Sequence, residues 1–305
     1  MNVAVLGPGG VGGLLAGALD RAGIPTTVVA RSSTAQLVGS HGLRISSVRL
    51  GDFVAHPRAV DTLAEPVDVL IVSPKAPALG QALERIAAPP RVVLPLLNGI
   101  DHLAVLRRRF ADTGTSVLAG AIRVESDRPQ AGVILHTSPF LRVDMACSDQ
   151  AAQPAMADLA QLLGNAEIPA RVVDSEPAVM WGKLVRLNAL ACTTSAYDKL
   201  LGEIRDTPEL RAELIEVIRE GCAVAVAEGA QIDTQTPLGE LQDAHATLGS
   251  SMQRDIAAGR EPELDAIPCA VLRAGAGHGI RCPTTERLVG MIAERAGMLV
   301  PSIDG

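Results

Sequence analysis

Aromatic side chains are nearly absent from this sequence: three Phe, one Trp and one Tyr make up 2% of 305 residues. Any core must therefore be aliphatic, and there is no set of rings on which nucleobases could stack. A basic excess is missing too. The formal charge is −7 and the only basic block is Arg107-Arg108-Arg109, which argues against a nucleic-acid partner. No apolar run approaches the ~20 residues of a membrane span, and no basic-then-apolar leader precedes the first strand. The five cysteines (147, 192, 222, 269, 282) are odd in number and scattered, with no Cys-x-x-Cys, as expected of reduced thiols in a cytoplasmic protein. The six histidines lie too far apart for a metal-ligand pair on one helix. Lysine is scarcest among the charged residues. Of 27 basic residues only Lys75, Lys183 and Lys199 are lysines, so each invites a specific question.

With 48% hydrophobic and 20% charged residues the chain can bury a sizeable core, and its length fits about two domains of ~150 residues. Short β-branched runs at 2–6, 26–30, 67–73 and 91–97 read as strands, with helical stretches at 12–22 and 78–88 between them. That alternation predicts a parallel sheet with crossover helices. Residues 116–122, 132–136 and 141–144 suggest antiparallel strands, followed by a helix at 151–163 and a strand at 171–173. Beyond Pro177 strand signals vanish. Helices are expected at 178–191, 208–228, 236–246, 261–274 and 284–296, with Pro208 in a first turn and Gly229 at an end. The expectation is an α/β Rossmann-type N-terminal domain over residues 1–174 and an all-α C-terminal domain over 175–305.

Gly7-Pro8-Gly9-Gly10-Val11-Gly12 directly follows the first strand and opens a helix. In that context GxGxxG suits a dinucleotide: one glycine for the tight turn, one for approach of backbone to pyrophosphate, one for close packing of helix on strand. The bland alternative is a plain glycine-rich turn. At the end of the second strand, where an NAD site wants Asp or Glu, stands Arg31, followed by Ser32 and Ser33. A guanidinium there suits the 2′-phosphate of NADPH, against a merely solvated arginine at a strand end.

In the second half, Lys183 sits in a segment that is apolar nearly all round, Val179 to Leu187. Such a lysine must snorkel out, pair, or line a polar cleft; protonated, it can donate to a ketone oxygen as hydride arrives. Ser250-Ser251-Met252-Gln253-Arg254-Asp255 and Glu261-Pro262-Glu263-Leu264-Asp265 can line a pocket, or merely cap helices.

At these residues the chain resembles the ketopantoate reductase (2-dehydropantoate 2-reductase) family over nearly its whole length. The motifs are the Gly7–Gly12 loop, Arg31, Lys75, Asn98-Gly99, Gly132 with His136, Lys183, and the Ser250 to Asp265 block. The resemblance implies reduction of 2-dehydropantoate to pantoate with NADPH, with Lys183 as general acid and Glu263 as the acidic residue that binds the substrate hydroxyl. It also implies Ser251 on the substrate carboxylate, Asn98 and Lys75 near the nicotinamide and cofactor, and Arg31 on the 2′-phosphate. Lys183, Ser251 and Glu263 would reach the substrate across an interdomain cleft, and a homodimer is compatible with the sequence.

Two departures stand out. The family has asparagines four and eight residues after the lysine; here Leu187 and Ala191 occupy those places, and Asn188 comes one residue late. Where the family commonly has another asparagine, this chain has Pro268. A wide π-type turn between Lys183 and Asn188 would return Asn188 to the lysine face as a substrate contact. A regular helix would leave Leu187 there instead and favour a more apolar 2-oxo acid. The remaining alternative is an NADPH-binding sensor without turnover.

Overall fold

Alternating apolar strands and helices in the first half produce a parallel sheet. The computed structural model describes residues 1–303, and the chain separates into two compact units: Met1–Leu97 with His102–Val179, and Asn98–Asp101 with the chain from Met180 onward.

The first unit runs β1 (Val3–Leu6), α1 (Gly10–Arg21), β2 (Thr26–Val29), α2 (Ser32–His41), β3 (Leu43–Ser47), β4 (Phe53–Ala55), β5 (Arg58–Val60), β6 (Val69–Val72), α3 (Leu79–Leu83), β7 (Val92–Pro95), α4 (His102–Arg109) and β8 (Ser116–Val117). It continues through β9 (Ala119–Arg123), β10 (Ser126–Gln130), β11 (Val133–His136), β12 (Arg142–Ala146), α5 (Gln153–Asn165) and β13 (Ala170–Val172). Six strands form one sheet in the order β5-β2-β1-β6-β7-β8, every pair parallel. Val3 and Val5 face one apolar layer with Leu14, Leu15 and Leu19, while Ala4 and Leu6 face another with Leu83, Leu106 and Phe110. Burial on both faces is why these strands read as unbroken apolar runs. Strand order reverses between β1 and β6, so the loops at their carboxyl ends flank a topological switch point.

Two smaller sheets, β10-β11-β3-β4 and β13-β12-β9, complete the unit. β9 pairs antiparallel with β12, and β10 with β11, but β11 also lies parallel to β3. The single strand expected over 116–122 is two strands in two sheets. Leu118 still donates its N–H to Val93 in the parallel sheet, after which β9 turns away to pair with β12.

His136 is fully buried on β11, with Nδ1 2.8 Å from Ser47 Oγ and Nε2 3.2 Å from Ser138 Oγ. Ser47 Oγ in turn accepts from the backbone N–H groups of Arg49 and Leu50, closing the turn after β3. Burial holds the His136 pKa below its ordinary value, because the imidazolium would lose its hydration. The folded state therefore binds fewer protons here than the unfolded chain, so stability is full above the unfolded histidine pKa and falls as pH drops through it. The urea midpoint should decline between about pH 7.5 and 5, and a His136→Gln variant, weaker at neutral pH, should show a flatter decline.

The second unit is helical: α6 (Glu176–Tyr197), α7 (Leu201–Asp206), α8 (Pro208–Ala227), α9 (Gln235–Asp243), α10 (Ser251–Ala257), α11 (Ala270–Gly277) and α12 (Pro283–Ala296). The division between the units falls inside α6, between Val179 and Met180. Trp181, Leu184 and Val185 of α6 pack with Leu214, Val217 and Ile218 of α8 and Leu288 and Ile292 of α12 in an aliphatic core. The buried Glu220 carboxylate accepts from the N–H groups of Thr284 and Thr285 and from the Thr285 hydroxyl, so α8 supplies the missing cap of α12. Among the described residues no helix is long and apolar enough to cross a membrane.

The wide turn considered between Lys183 and Asn188 is absent, because α6 is an α-helix throughout. A π-turn occurs instead at Asp265–Cys269, ahead of α11. Pro268 explains it. Proline has no N–H to give Leu264 and its ring crowds that carbonyl, so the turn widens and the N–H of Cys269 reaches Leu264 O at 3.2 Å.

Candidate active site

Each unit carries its own chemically distinct set of candidate residues. In the glycine loop, Gly7 has φ +86°, and a Cβ there would lie 3.0 Å from the backbone nitrogen of Pro74. A Cβ on Gly12 would fall 2.2 Å from Ser73 Oγ and 2.4 Å from Gly7 O. Ser73, at the end of β6, donates its hydroxyl to Leu6 O and Gly7 O, so the loops after β1 and β6 are fastened together. Gly9 differs: nothing lies within 4 Å of its Cβ position. It is the N-cap of α1, with no side-chain cap and no acidic residue in the first turn. An open, side-chain-free backbone at a helix N-terminus fits a diphosphate. Pro8 is buried, and Gly10 and Val11 are half-buried at the start of α1.

Arg31 is exposed at the end of β2, with extended backbone (φ −61°, ψ 147°) leading into α2. Ser32 does not stand beside it as a ready phosphate donor, because its hydroxyl donates to Asp61 Oδ2 at 2.7 Å, just after β5. Lys75 is exposed, one residue past the Pro74 that packs on Gly7.

In the helical unit three residues far apart in sequence converge. Lys183 Nζ donates to Asn98 Oδ1 at 2.9 Å, and Asn98 Nδ2 donates to Glu263 Oε2 at 2.8 Å. The amide thus bridges ammonium and carboxylate, with every dipole aligned along one chain. Lys183 is half-buried on α6, and Glu263 is buried just ahead of the π-turn. Asn98 is held there by close packing. Gly99 has φ +81°, and a Cβ on it would lie 2.1 Å from the carbonyl oxygen of Ala266 inside the π-turn.

A brace that the sequence reading missed secures the same segment. Arg273 donates to the carboxylates of Asp101 and Asp265, both at 2.7 Å, and to Asp265 O at 3.0 Å. One guanidinium therefore ties the strand-end segment carrying Asn98 to the turn carrying Glu263. Its one sequence signal was an arginine two helical turns past Asp265.

Ser250, not Ser251, is the helix cap: its hydroxyl accepts from the N–H of Gln253 and from Thr194 Oγ1. Ser251 follows, half-buried, as the first residue of α10. Asn188 is wholly buried on the inner side of α6. Its Oδ1 accepts from the Cys192 thiol at 3.3 Å and its Nδ2 has no hydrogen-bond partner. The reading of Asn188 as a substrate contact depended on the wide turn; in the regular helix it faces the core, roughly 140° round from Lys183. Leu187, one turn beyond Lys183, is the half-buried neighbour on that face.

The four buried thiols are not activated. Burial pushes Cys222 and Cys269 up to about 11 and Cys282 up to about 12, and it raises Cys192 further still, so these remain neutral thiols at ordinary pH.

A parallel sheet with a dinucleotide-type loop, joined to a helical unit bearing a positioned lysine, defines a nicotinamide-dependent oxidoreductase class. Family models for "Ketopantoate reductase PanE/ApbA" and its C-terminal part match residues 3–149 and 178–296. The chain belongs to this family of oxidoreductases, and its curated relatives include several 2-dehydropantoate 2-reductases. A 2-dehydropantoate 2-reductase from Caulobacter vibrioides is 28% identical over 303 residues, covering 95% of this chain and 98% of that protein. A PanE/ApbA family ketopantoate reductase from Ralstonia eutropha shares the fold with a TM-score of 0.84 at 23% identity, over 97% of this chain and 99% of that one. D-mandelate dehydrogenase, solved with NADH and anilino(oxo)acetate, superposes with a TM-score of 0.88 at 19% identity, over 97% and 98% of the two chains.

Proposed function

We propose that this protein is an NADPH-dependent reductase of a 2-oxo acid whose substituent is more apolar than that of 2-dehydropantoate. The observation that carries the reading is the chain from Lys183 through Asn98 to Glu263, which holds an amine on the accessible side of α6. The nicotinamide, when bound, supplies the hydride. Lys183 donates a hydrogen bond to the ketone oxygen and then its proton, so charge does not build up on that oxygen. Asn98 fixes the lysine head, and Glu263 orients Asn98. The glycine loop, with Lys75 and Arg31 nearby, takes the phosphates.

Leu187 supports the apolar substituent. In a regular α6 it stands four residues past Lys183, where the family resemblance implies an asparagine, and an isobutyl group offers no hydrogen bond. The fold accommodates bulk, since the D-mandelate dehydrogenase neighbour holds anilino(oxo)acetate. NADPH oxidation should be followed with 2-dehydropantoate and with branched aliphatic and aromatic 2-oxo acids. The expected result is a higher kcat/KM for the apolar acids, with Leu187→Asn moving the preference toward 2-dehydropantoate. Highest efficiency on 2-dehydropantoate would overturn the substrate assignment. Tight NADPH binding with no turnover of any acid would favour the sensor alternative.

Cofactor choice has its own test. A charge-assisted bond from Arg31 to a 2′-phosphate contributes about 1.5–3 kcal/mol, so Arg31→Ala should raise KM for NADPH about tenfold or more and change that for NADH little. Asp61 sharpens the question by placing a carboxylate on Ser32. Equal losses for both cofactors would place the ribose elsewhere.

A further inference from the structure

From Met180 to Ala196 every residue of α6 is buried except Gly182, Lys183, Arg186 and Leu187. These four form one strip, because positions three and four apart are surface neighbours on a helix. The strip offers three side chains of different chemistry: an amine, a guanidinium and an isobutyl group. The reading above uses the first and third. Arg186 keeps only 18% of its side-chain exposure, and its Nε lies 3.2 Å from Glu240 Oε2 on α9. An arginine this deeply set, one turn from the catalytic amine and oriented by a carboxylate, is placed for more than solubility.

We propose that Arg186 binds the carboxylate of the 2-oxo acid while Lys183 meets the ketone oxygen and Leu187 the substituent. This rests on the reductase reading above. In a 2-oxo acid the ketone and carboxylate sit on adjacent carbons, so their partners must come from neighbouring positions. Residues i and i+3 place their Cβ atoms about 5–6 Å apart, and a guanidinium can grip a carboxylate with two parallel bonds. Ser251, the carboxylate partner implied by resemblance, follows a residue anchored on Thr194 and Ser195. Those positions lie about 16–18 Å along α6 from Lys183, against about 4.5 Å for Arg186. Glu240 holds the guanidinium in place and, once substrate is bound, becomes the second carboxylate on it.

The competing reading is structural: Arg186 only ties α6 to α9 through Glu240. Steady-state kinetics of the full chain with NADPH separate the two, using the most efficiently reduced 2-oxo acid and its uncharged methyl ester. Arg186→Met should raise KM for the acid by about 10- to 100-fold, with KM for the ester and for NADPH nearly unchanged, so that the preference for acid over ester collapses. Arg186→Lys, which keeps the charge without the fork and preserves packing, should fall between. Glu240→Gln keeps an oxygen acceptor to position the guanidinium and removes only the like charge, so it should lower KM for the acid. Equal losses on acid and ester in the arginine variants, or a Glu240→Gln variant that reproduces them, would overturn the assignment and leave the structural tie. Wild-type protein that reduces no 2-oxo acid would instead remove the reductase reading itself.

Discussion

Lys183→Ala should lower kcat by about 10²–10⁴ while NADPH still binds, because on the proposed mechanism the variant loses its proton donor and leaves the glycine loop untouched. The size follows from what the lysine does in the site. Its ammonium is held by Asn98 at 2.9 Å, and Asn98 by Glu263 at 2.8 Å, so its head is fixed before substrate arrives. Fixing a donor in advance means that little reorganisation is needed when charge develops on the ketone oxygen. Arginine should rescue poorly. It retains the charge, but its proton is effectively never released, and its planar fork does not fit a site built around a point donor. Single-turnover kinetics with NADPH at saturation measure the effect directly. Near-normal kcat in the alanine variant would return Lys183 to the ordinary snorkelling role of a lysine in an apolar helix.

What could be read without coordinates was what local chemistry determines. β1, β2, β6 and β7 announced themselves as apolar runs because both faces of their sheet are covered. The glycine loop was legible because its spacing encodes a turn, an open backbone and a close approach, which Gly7, Gly9 and Gly12 display in that order. Residues 32–60 were opaque. α2 contains Ser, Thr, Gln and Gly with only three buried residues, and β5 is three residues long. The helix expected over 78–88 shrinks to Leu79–Leu83, since Leu63 bonds with Arg85 and Ala87 and draws that chain into an extended bridge.

In the site, residue types were legible and the place of the wide turn was not. Spacing left open a wide turn between Lys183 and Asn188 beside a regular helix; the chain has its wide turn where Pro268 removes an N–H, on the helix that follows Glu263. The same proline had been noted only as a missing asparagine. Arg273 escaped notice because a brace between Asp101 and Asp265 exists only once the fold brings them together.

Gly99→Ala should be the most damaging single-methyl change in the helical unit, lowering kcat by about 10²-fold and reducing Tm, with NADPH affinity retained. Two independent effects act on one atom. Left-handed backbone at φ +81° costs an L-residue roughly 1–2 kcal/mol. The added Cβ would also sit 2.1 Å from Ala266 O and 3.0 Å from Ala266 C, backbone atoms that no rotamer change can move aside. The segment and the π-turn must therefore separate by an ångström or more, on the order of the misplacement that costs 10²-fold in rate. Asn98 is the adjacent residue, so the movement breaks the bridge between Lys183 and Glu263 first. The loss should appear in kcat more than in KM for NADPH, because the glycine loop belongs to the other unit. Gly290→Ala provides the control. That glycine is exposed on α12 with nothing within 4 Å of its Cβ position, so alanine there should leave kcat alone and raise stability by about 0.5–1 kcal/mol. A folded Gly99→Ala enzyme with wild-type kcat would mean that Asn98 does not set the position of the lysine.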